Sequence, residues 1–395
     1  FLPPPPMRLH EHFIKKAGTN LKIPVIPSRL SILTRPINNE RGSCFYCSQC
    51  SRGCNKYADF SSSSVLVIPA MKTGNLTLIN HAMVREVLTD QATGLATGVS
   101  YVDTKTMAEV SVRAKRVVLG ASACESARLL LNSKSARFPQ GLANTSGVIG
   151  KYLNDSTGAS RSAFVPSLMN RDRYNEDGVG GSHIYSPWWL DNNKLDFARG
   201  YHIEYGGGMG MPGYGFGMGM HNSNGKYPYP NGEKLPAGGY GSRLREDVNR
   251  FYGAHIGMAG RGEPIPLETN YCEIDPGKVD KYGIPTLRFH YKWSDHEIKQ
   301  AKHMQDTFEE MIIEMGGIPL GNKPGPETNY GLEAPGKIIH EVGTIRMGDD
   351  PKKSALNKYC QAHDCKNLFV VDAGPFVQQG DKNATWTILA LSMRT

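Results

Sequence analysis

The chain has 395 residues, 39% of them hydrophobic and 21% charged, which is enough for two domains with large buried cores. No apolar run reaches the roughly 18–20 residues a membrane-spanning helix needs, so the sequence contains no candidate transmembrane segment. The net charge of +8 comes from scattered Lys and Arg rather than from blocks, which removes the usual footprint of a nucleic-acid binder and leaves a docking face for an acidic partner or plain solvation.

Phe1 and Leu2 lead into Pro3–Pro6, a short polyproline segment that starts no folded element. The chain therefore reads as beginning inside a longer protein, with any signal peptide upstream. Next, Cys44, Cys47, Cys50 and Cys54 fall in the spacing C-x2-C-x2-C-x3-C, the ligand run of a bacterial ferredoxin iron–sulfur cluster. Thiolates this close in sequence can wrap one compact cluster, whereas cysteines two residues apart rarely reach disulfide geometry. Two other readings stay open. One is a structural zinc site, although the second, distant knuckle is missing; the other is a set of buried or disulfide-bonded thiols. Asn55 follows Cys54 where the ferredoxin run has proline, and a cluster held by only three of the thiolates also stays open. Cys124, Cys272, Cys360 and Cys365 are dispersed and read as core residues.

From Leu76 to Leu119, short β-branched runs separated by turn residues (Asp90, Gly94) predict hairpins followed by a buried strand. Gly120-Ala-Ser-Ala then opens a helix capped by Ser122, and this small-residue turn makes an anion-friendly helix N-terminus, or simply a strand-to-helix connection. A Gly/Met/Tyr-rich tract from Tyr205 to Met220 predicts a long loop. Its Gly208-x-Gly210-x-x-Gly213 matches the dinucleotide fingerprint by accident, since Pro212 and the glycines after it cannot open a helix. Leu287–Tyr291 alternates as a half-buried strand. Ser294 and Glu297 form a capping box for a helix whose apolar stripe (Ile298, Ala301, Phe308, Met311, Met315) is predicted to pack on that strand's sheet. The last residues, Ile388, Leu389 and Leu391, belong to an apolar helix cut before any stop signal.

The closing segment is the most specific. It holds Ile338-Ile-His340-Glu-Val-Gly-Thr-Ile-Arg-Met-Gly348, then Asn367-Leu-Phe-Val-Val-Asp-Ala-Gly374, then Asp381-Lys-Asn-Ala-Thr-Trp-Thr-Ile. These runs resemble the C-terminal part of the glucose–methanol–choline (GMC) flavoprotein oxidoreductases. The stretch Val118 to Ser133 is similar to that family's second signature, although Lys134 breaks its usual Ser-Gly ending, and Gly74 to Val84 resembles the strand whose valine touches adenine. The resemblance implies an α/β (α+β overall) fold with an incomplete, discontinuous FAD-binding domain and a substrate domain of antiparallel sheet and helices. The implied segments are 1–63 with the cysteine motif, 64–154 and 336–395 for FAD binding, and 155–335 for substrate.

The same resemblance assigns roles. His340 and Asn383 face the flavin ring, and Val84, Ala121, Ser122, Asp372, Ala373, Thr385 and Thr387 contact FAD. A neutral imidazole titrating near neutrality suits removal of a hydroxyl proton, and an uncharged carboxamide suits the developing alkoxide. Asn383-Ala384 stands where the family shows Asn-Pro. The family's N-terminal Gly-x-Gly-x-x-Gly turn is absent from the chain. The cysteine run resembles a subgroup of FAD sugar dehydrogenases, which implies a 4Fe-4S or 3Fe-4S cluster, a cytochrome or other acceptor subunit, and the bacterial periplasm. Trp188, Trp189, Tyr201 and Tyr205 are stacking candidates for a sugar ring or members of the core. The expected activity is oxidation of a sugar, glucoside or polyol hydroxyl. The alternatives are a non-catalytic electron-transfer or scaffold subunit that has lost flavin binding, and a zinc-stapled carbohydrate-binding protein.

Overall fold

The computed structural model describes residues 2–47, 50, 53–172, 181–188, 193, 195–208 and 241–395. In chain order the elements begin with α1 (Leu9–Leu21), β1 (Ile26–Pro27) and α2 (Ile68–Lys72). There follow β2 (Ala82–Thr89), β3 (Ala96–Asp103), β4 (Glu109–Arg113), β5 (Val117–Leu119) and α3 (Ala123–Asn132). The middle holds β6 (Thr157–Phe164), β7 (Ile184–Pro187), β8 (Tyr201–Gly207), α4 (Gly241–Phe251) and β9 (His255–Gly262). The remainder is β10 (Tyr271–Val279), β11 (Pro285–His290), α5 (Asp295–Glu314), β12 (Ile318–Pro319), β13 (Leu368–Val370) and α6 (Thr385–Arg394). The fold is mixed α/β with antiparallel sheets, as the sequence predicts.

The chain divides into two compact units. The first gathers residues 1–77, 158–261 and 298–332, and the second 78–157, 262–297 and 333–395.

In the first unit the six-stranded sheet runs in the order β1-β7-β8-β9-β6-β12. One face of it is apolar: Ala159, Ala163, Ile184, Tyr201, Ile203, Ile256 and Met258 are buried in one cluster with Ala301, Met304, Phe308 and Met311 of α5 and with Met315 just after it. The α5 stripe thus enters this sheet's core, whereas β11 pairs with β10 as a separate antiparallel ribbon in the second unit. A stripe of this kind records that a helix has a buried side, and the adjacent strand in sequence need not be what covers it. Tyr201 and Tyr205 are buried in the same cluster, Tyr201 bonding His303 Nδ1 at 2.7 Å and Tyr205 bonding Ser186 Oγ, and Trp188 packs against it. Tyr201 and Tyr205 are core residues and Trp188 is partly buried against them, which favours the core reading over the stacking one; Trp189 and the match at Gly210–Gly213 lie outside the described residues. A helix the sequence reading missed, α1, starts at a box in which Glu11 accepts from Arg8 N–H (2.8 Å) and from Arg8 Nη2 (2.9 Å).

The second unit contains the meander β2-β3-β4, whose β-branched runs pair antiparallel as predicted, and the parallel pair β5–β13. Its core joins Val117, Leu119, Ala127, Leu130, Leu368 and Val370. Cys272 and Cys365 lie in this core and Cys360 is buried as well, while Cys124 is only partly covered.

Candidate active site

A small apolar cluster of the second unit determines where the predicted site residues stand. Ala123, Val342, Ala373 and Phe376 are buried together, with Ala384, Ile388 and Leu391 of the α6 region packed on them. Each anchor is a near neighbour in sequence of a predicted site residue: Ala123 follows Ser122, Val342 lies two places after His340, and Ala384 follows Asn383. Burying these small side chains brings together segments that are far apart along the chain. Hydrogen bonds then set their register. Val342 and Asn154 exchange backbone bonds, Gly343 N–H donates to Ala373 O (3.1 Å), and Thr344 Oγ1 donates to Ala123 O (2.7 Å). Gly343 has φ +84°, and a Cβ there would lie 2.3 Å from Tyr152 O, so only glycine fits this crossing. Ile339, immediately before His340, is a β-branched residue at φ 59°, a conformation that persists only where its surroundings enforce it.

His340 Nε2 and Asn383 Nδ2 meet at 3.2 Å. With the Asn383 amide nitrogen as donor, Nε2 accepts, an arrangement that calls for the neutral tautomer protonated on Nδ1. That is the form able to take a proton. Asn383 is exposed and His340 half-buried, so the pair faces outward from its unit.

Asp155 lies beneath this pair. It is 1% exposed, its Oδ1 accepts the backbone N–H of His340 at 2.9 Å, and Oδ2 has no hydrogen-bond partner among the described residues. Burial holds its carboxyl above the usual range, and the N–H groups of His340 and Ile338 and the charge His340 carries when protonated offset this only in part. Burial and the neighbouring Asp155 charge also raise Glu341. The next residue, Ser156, accepts from Gln379 Nε2 at 3.2 Å, and Gln379 Nε2 also reaches Lys382 O (3.4 Å), one residue before Asn383. Sequence reading singled out none of Asp155, Ser156 and Gln379.

The α3 N-terminus carries the predicted cap, Ser122, which accepts from Glu125 N–H at 3.4 Å. Ser122 has φ 87° and ψ 162°, a region natural to glycine alone. Ala121 and Ser122 are exposed. Asp372 is buried beside them, accepting from Ser126 Oγ (2.5 Å) and Gly374 N–H (2.7 Å), with the N–H groups of Ser122 and Ala121 also favouring its charge. Burial still outweighs these donors and holds its carboxyl high. The Asp372 oxygens at this helix start are thus engaged by donors of the chain itself. Ala373 is buried in the apolar cluster, Thr385 and Thr387 are exposed on α6, and Val84 is half-buried against the β5–β13 core.

In the first unit Cys44, Cys47, Cys50 and Cys54 line one cavity of about 260 Å³, with Ile32, Phe45, Ala58 and Asp59. Among the described residues no three His, Cys, Asp or Glu side chains are close enough to share one metal ion. The backbone supports thiolate character unevenly. Burial raises Cys54, but N–H groups of Asp59, Lys56 and Ala58 more than reverse it, and its thiol titrates below the ordinary value. Cys44 receives one N–H, from Tyr46 at 3.3 Å, and burial holds it high.

Family models described as GMC oxidoreductase match residues 8–157 and 266–392. The chain belongs to the GMC oxidoreductase family. Both arms of the site lie inside those ranges, with Ser122 and Asp155 in the first and His340, Asp372 and Asn383 in the second. The 2-methyl-1,2-propanediol dehydrogenase of Mycolicibacterium austroafricanum is 32% identical over 320 residues, covering 80% of the GMC chain described here and 53% of the relative. The gluconate 2-dehydrogenase flavoprotein of Pantoea cypripedii is 29% identical over 367 residues, covering 91% and 56%. The chain thus spans about half the length of the curated relatives it matches. The crystal structure of pyridoxine 4-oxidase from Mesorbium loti superimposes with a TM-score of 0.56 at 16% identity, covering 96% of this GMC chain and 67% of that one, a likeness of fold.

Proposed function

We propose that this chain is part of an FAD-dependent dehydrogenase that oxidises a hydroxyl of a sugar, glucoside or polyol. The observation that carries the reading is the meeting of His340 Nε2 with the Asn383 carboxamide at 3.2 Å. His340 Nε2 takes the hydroxyl proton, which increases electron density on the substrate oxygen and favours departure of hydride from its carbon. Asn383 turns its N–H from His340 to that oxygen, stabilising the developing charge without changing its own. When bound, FAD supplies the hydride acceptor. Ala121 and Ser122, exposed at the α3 start, would contact the cofactor together with Thr385, Thr387, Ala373 and Val84. Asp372 serves by holding the α3 start and the 372–374 turn together. The names of the relatives, a diol dehydrogenase and a sugar-acid dehydrogenase flavoprotein, support this substrate class and a flavin.

The four cysteines fit an iron–sulfur cluster of 4Fe-4S or 3Fe-4S type. Their ferredoxin-like spacing and the one cavity they line together support this reading. The three N–H groups facing Cys54 suit a bridging-charge thiolate. When bound, the cluster supplies one-electron relay to an external acceptor, for which a cytochrome subunit, in the bacterial periplasm, is the proposed partner.

The full-length protein should be purified with flavin absorbance that bleaches anaerobically on addition of a diol or sugar. Iron and acid-labile sulfide should be present and should fall in Cys47→Ser. Purified protein lacking flavin would overturn the enzymatic reading, and zinc in place of iron would overturn the cluster.

A further inference from the structure

The two members of the site pair sit on separate segments, 338–342 and 379–383, and both segments are tied to the same two adjacent residues. Asp155 Oδ1 accepts the backbone N–H of His340 itself at 2.9 Å. Ser156 Oγ accepts from Gln379 Nε2 at 3.2 Å, and the same Nε2 reaches Lys382 O at 3.4 Å. Asp155, Ser156 and Gln379 are all buried, at 1%, 0% and 0% exposure. Water therefore competes poorly for these bonds, and each is hard to replace once lost. The dipeptide is itself held in place: Asn154 pairs with Val342 on one side, and Asp155 N–H donates to Tyr291 Oη at 3.1 Å.

We propose that Asp155, Ser156 and Gln379 are positioning residues that together fix the separation of His340 from Asn383. This rests on the functional reading above and extends it to a second layer of residues. The Asp155–Ser156 peptide acts as a common anchor: a shift of either side chain moves one arm of the pair and leaves the other in place. Neither Asp155 nor Ser156 hydrogen-bonds the imidazole ring, so their effect passes through the backbone of residues 338–340 and 379–383. Asp155 has one further influence, since its carboxylate favours the protonated form of His340 and is favoured by it. The other titratable groups facing Asp155 are Glu341, Tyr291 and Cys124.

Kinetics and crystal structures of four full-length variants test this. Misplacing a reacting group by about 1 Å costs roughly 10²-fold in rate. Asp155→Ala should therefore lower kcat about 100-fold with KM little changed, and Ser156→Ala, a gentle loss of one acceptor, should lower it several-fold. Asp155→Asn keeps an acceptor oxygen for His340 N–H and should retain most of kcat. Its loss of negative charge should move the acid-side midpoint of the kcat/KM profile to lower pH, an effect that merely loosened packing does not produce. In Ser156→Ala crystals the His340–Asn383 separation should open beyond 3.2 Å. Unchanged kcat and unchanged separation in Ser156→Ala would overturn the proposal, as would an Asp155→Asn variant as impaired as Asp155→Ala. Should Asp155→Ala not fold, the other two variants decide the matter. His340→Ala is the fourth: full activity there removes the functional reading itself, whereas an inactive His340→Ala beside unaffected anchor variants removes only the anchor.

Discussion

Glu11 in the first unit and Asp155 in the second are both buried carboxyls, yet their surroundings treat a negative charge in opposite ways. Burial raises Glu11, but the hydrogen bonds and charge of Arg8 and the N–H of His183 more than reverse it. It ends below the usual carboxylate range. Burial raises Asp155 too, and there the donors recover only part of the cost; Asp372 and Glu341 of the same unit also stay high. Full pairing suits a carboxylate whose work is to fasten the start of α1 to the β7 strand. Carboxyls whose titration burial shifts upward collect instead around His340 and the α3 N-terminus, where the proposed chemistry would take place.

The contrast is broken most severely by Glu11→Ala, which removes the carboxylate that Arg8 and His183 share. Breaking a buried pair from one side costs about 3–5 kcal/mol, read as a lower denaturant midpoint, and kcat of the folded fraction should not change. Gly343→Ala comes next, because its Cβ would strike the Tyr152 carbonyl at a φ of +84°, and a backbone atom cannot turn aside. A loss of about 2 kcal/mol or more in thermal unfolding is expected. Gly260→Ala in the first unit is its control: the nearest atoms to a Cβ there belong to the flexible Met304 side chain, so the cost should be nearer about 1 kcal/mol.

Acid should separate the units as well. Glu11 is lowered in the fold, so its stabilisation is present above its ordinary value of 4.5 and is lost as pH falls through the folded value. Burial and the Arg8 charge lower His183, so folding favours its neutral form, and that contribution fades below its ordinary value of 6.5. Asp155, Asp372 and Glu341 are raised; the folded chain binds their protons more readily than the unfolded chain, so their contribution grows more favourable as pH falls. Hydrogen exchange followed peptide by peptide from about pH 7 to about pH 4 should show α1 and β7 losing protection before α3 and β13. The smallest effect is expected from Ser122→Gly. It gives up a long cap bond and relieves a backbone strain of about 1–3 kcal/mol, for a net gain of about 1 kcal/mol in the second unit.

Local rules carried much of the second unit. The β-branched runs bounded by Asp90 and Gly94 form the meander, Ser122 caps α3, and Glu297 accepts from both the N–H and the hydroxyl of Ser294 at the start of α5. They failed at α1, where Arg8 stands in the cap position behind four prolines and the decisive acceptor, Glu11, is completed by His183, 172 residues away. His340 and Asn383 were readable because a family motif marks them. Asp155 and Ser156 were not: Asn154-Asp155-Ser156-Thr157 looks like an exposed polar turn, and all four side chains are buried. Their partners lie 185 and 223 residues further along, at distances where no periodicity or capping rule operates.

The pairing of His340 with Asn383 as proton acceptor and oxygen donor is tested most directly by anaerobic stopped-flow reduction of the flavin in the full-length protein, wild type beside His340→Ala. Loss of a general base should slow the bleaching step about 10²–10⁴-fold while substrate still binds. Bleaching at the wild-type rate in His340→Ala would show that the proton leaves by another route.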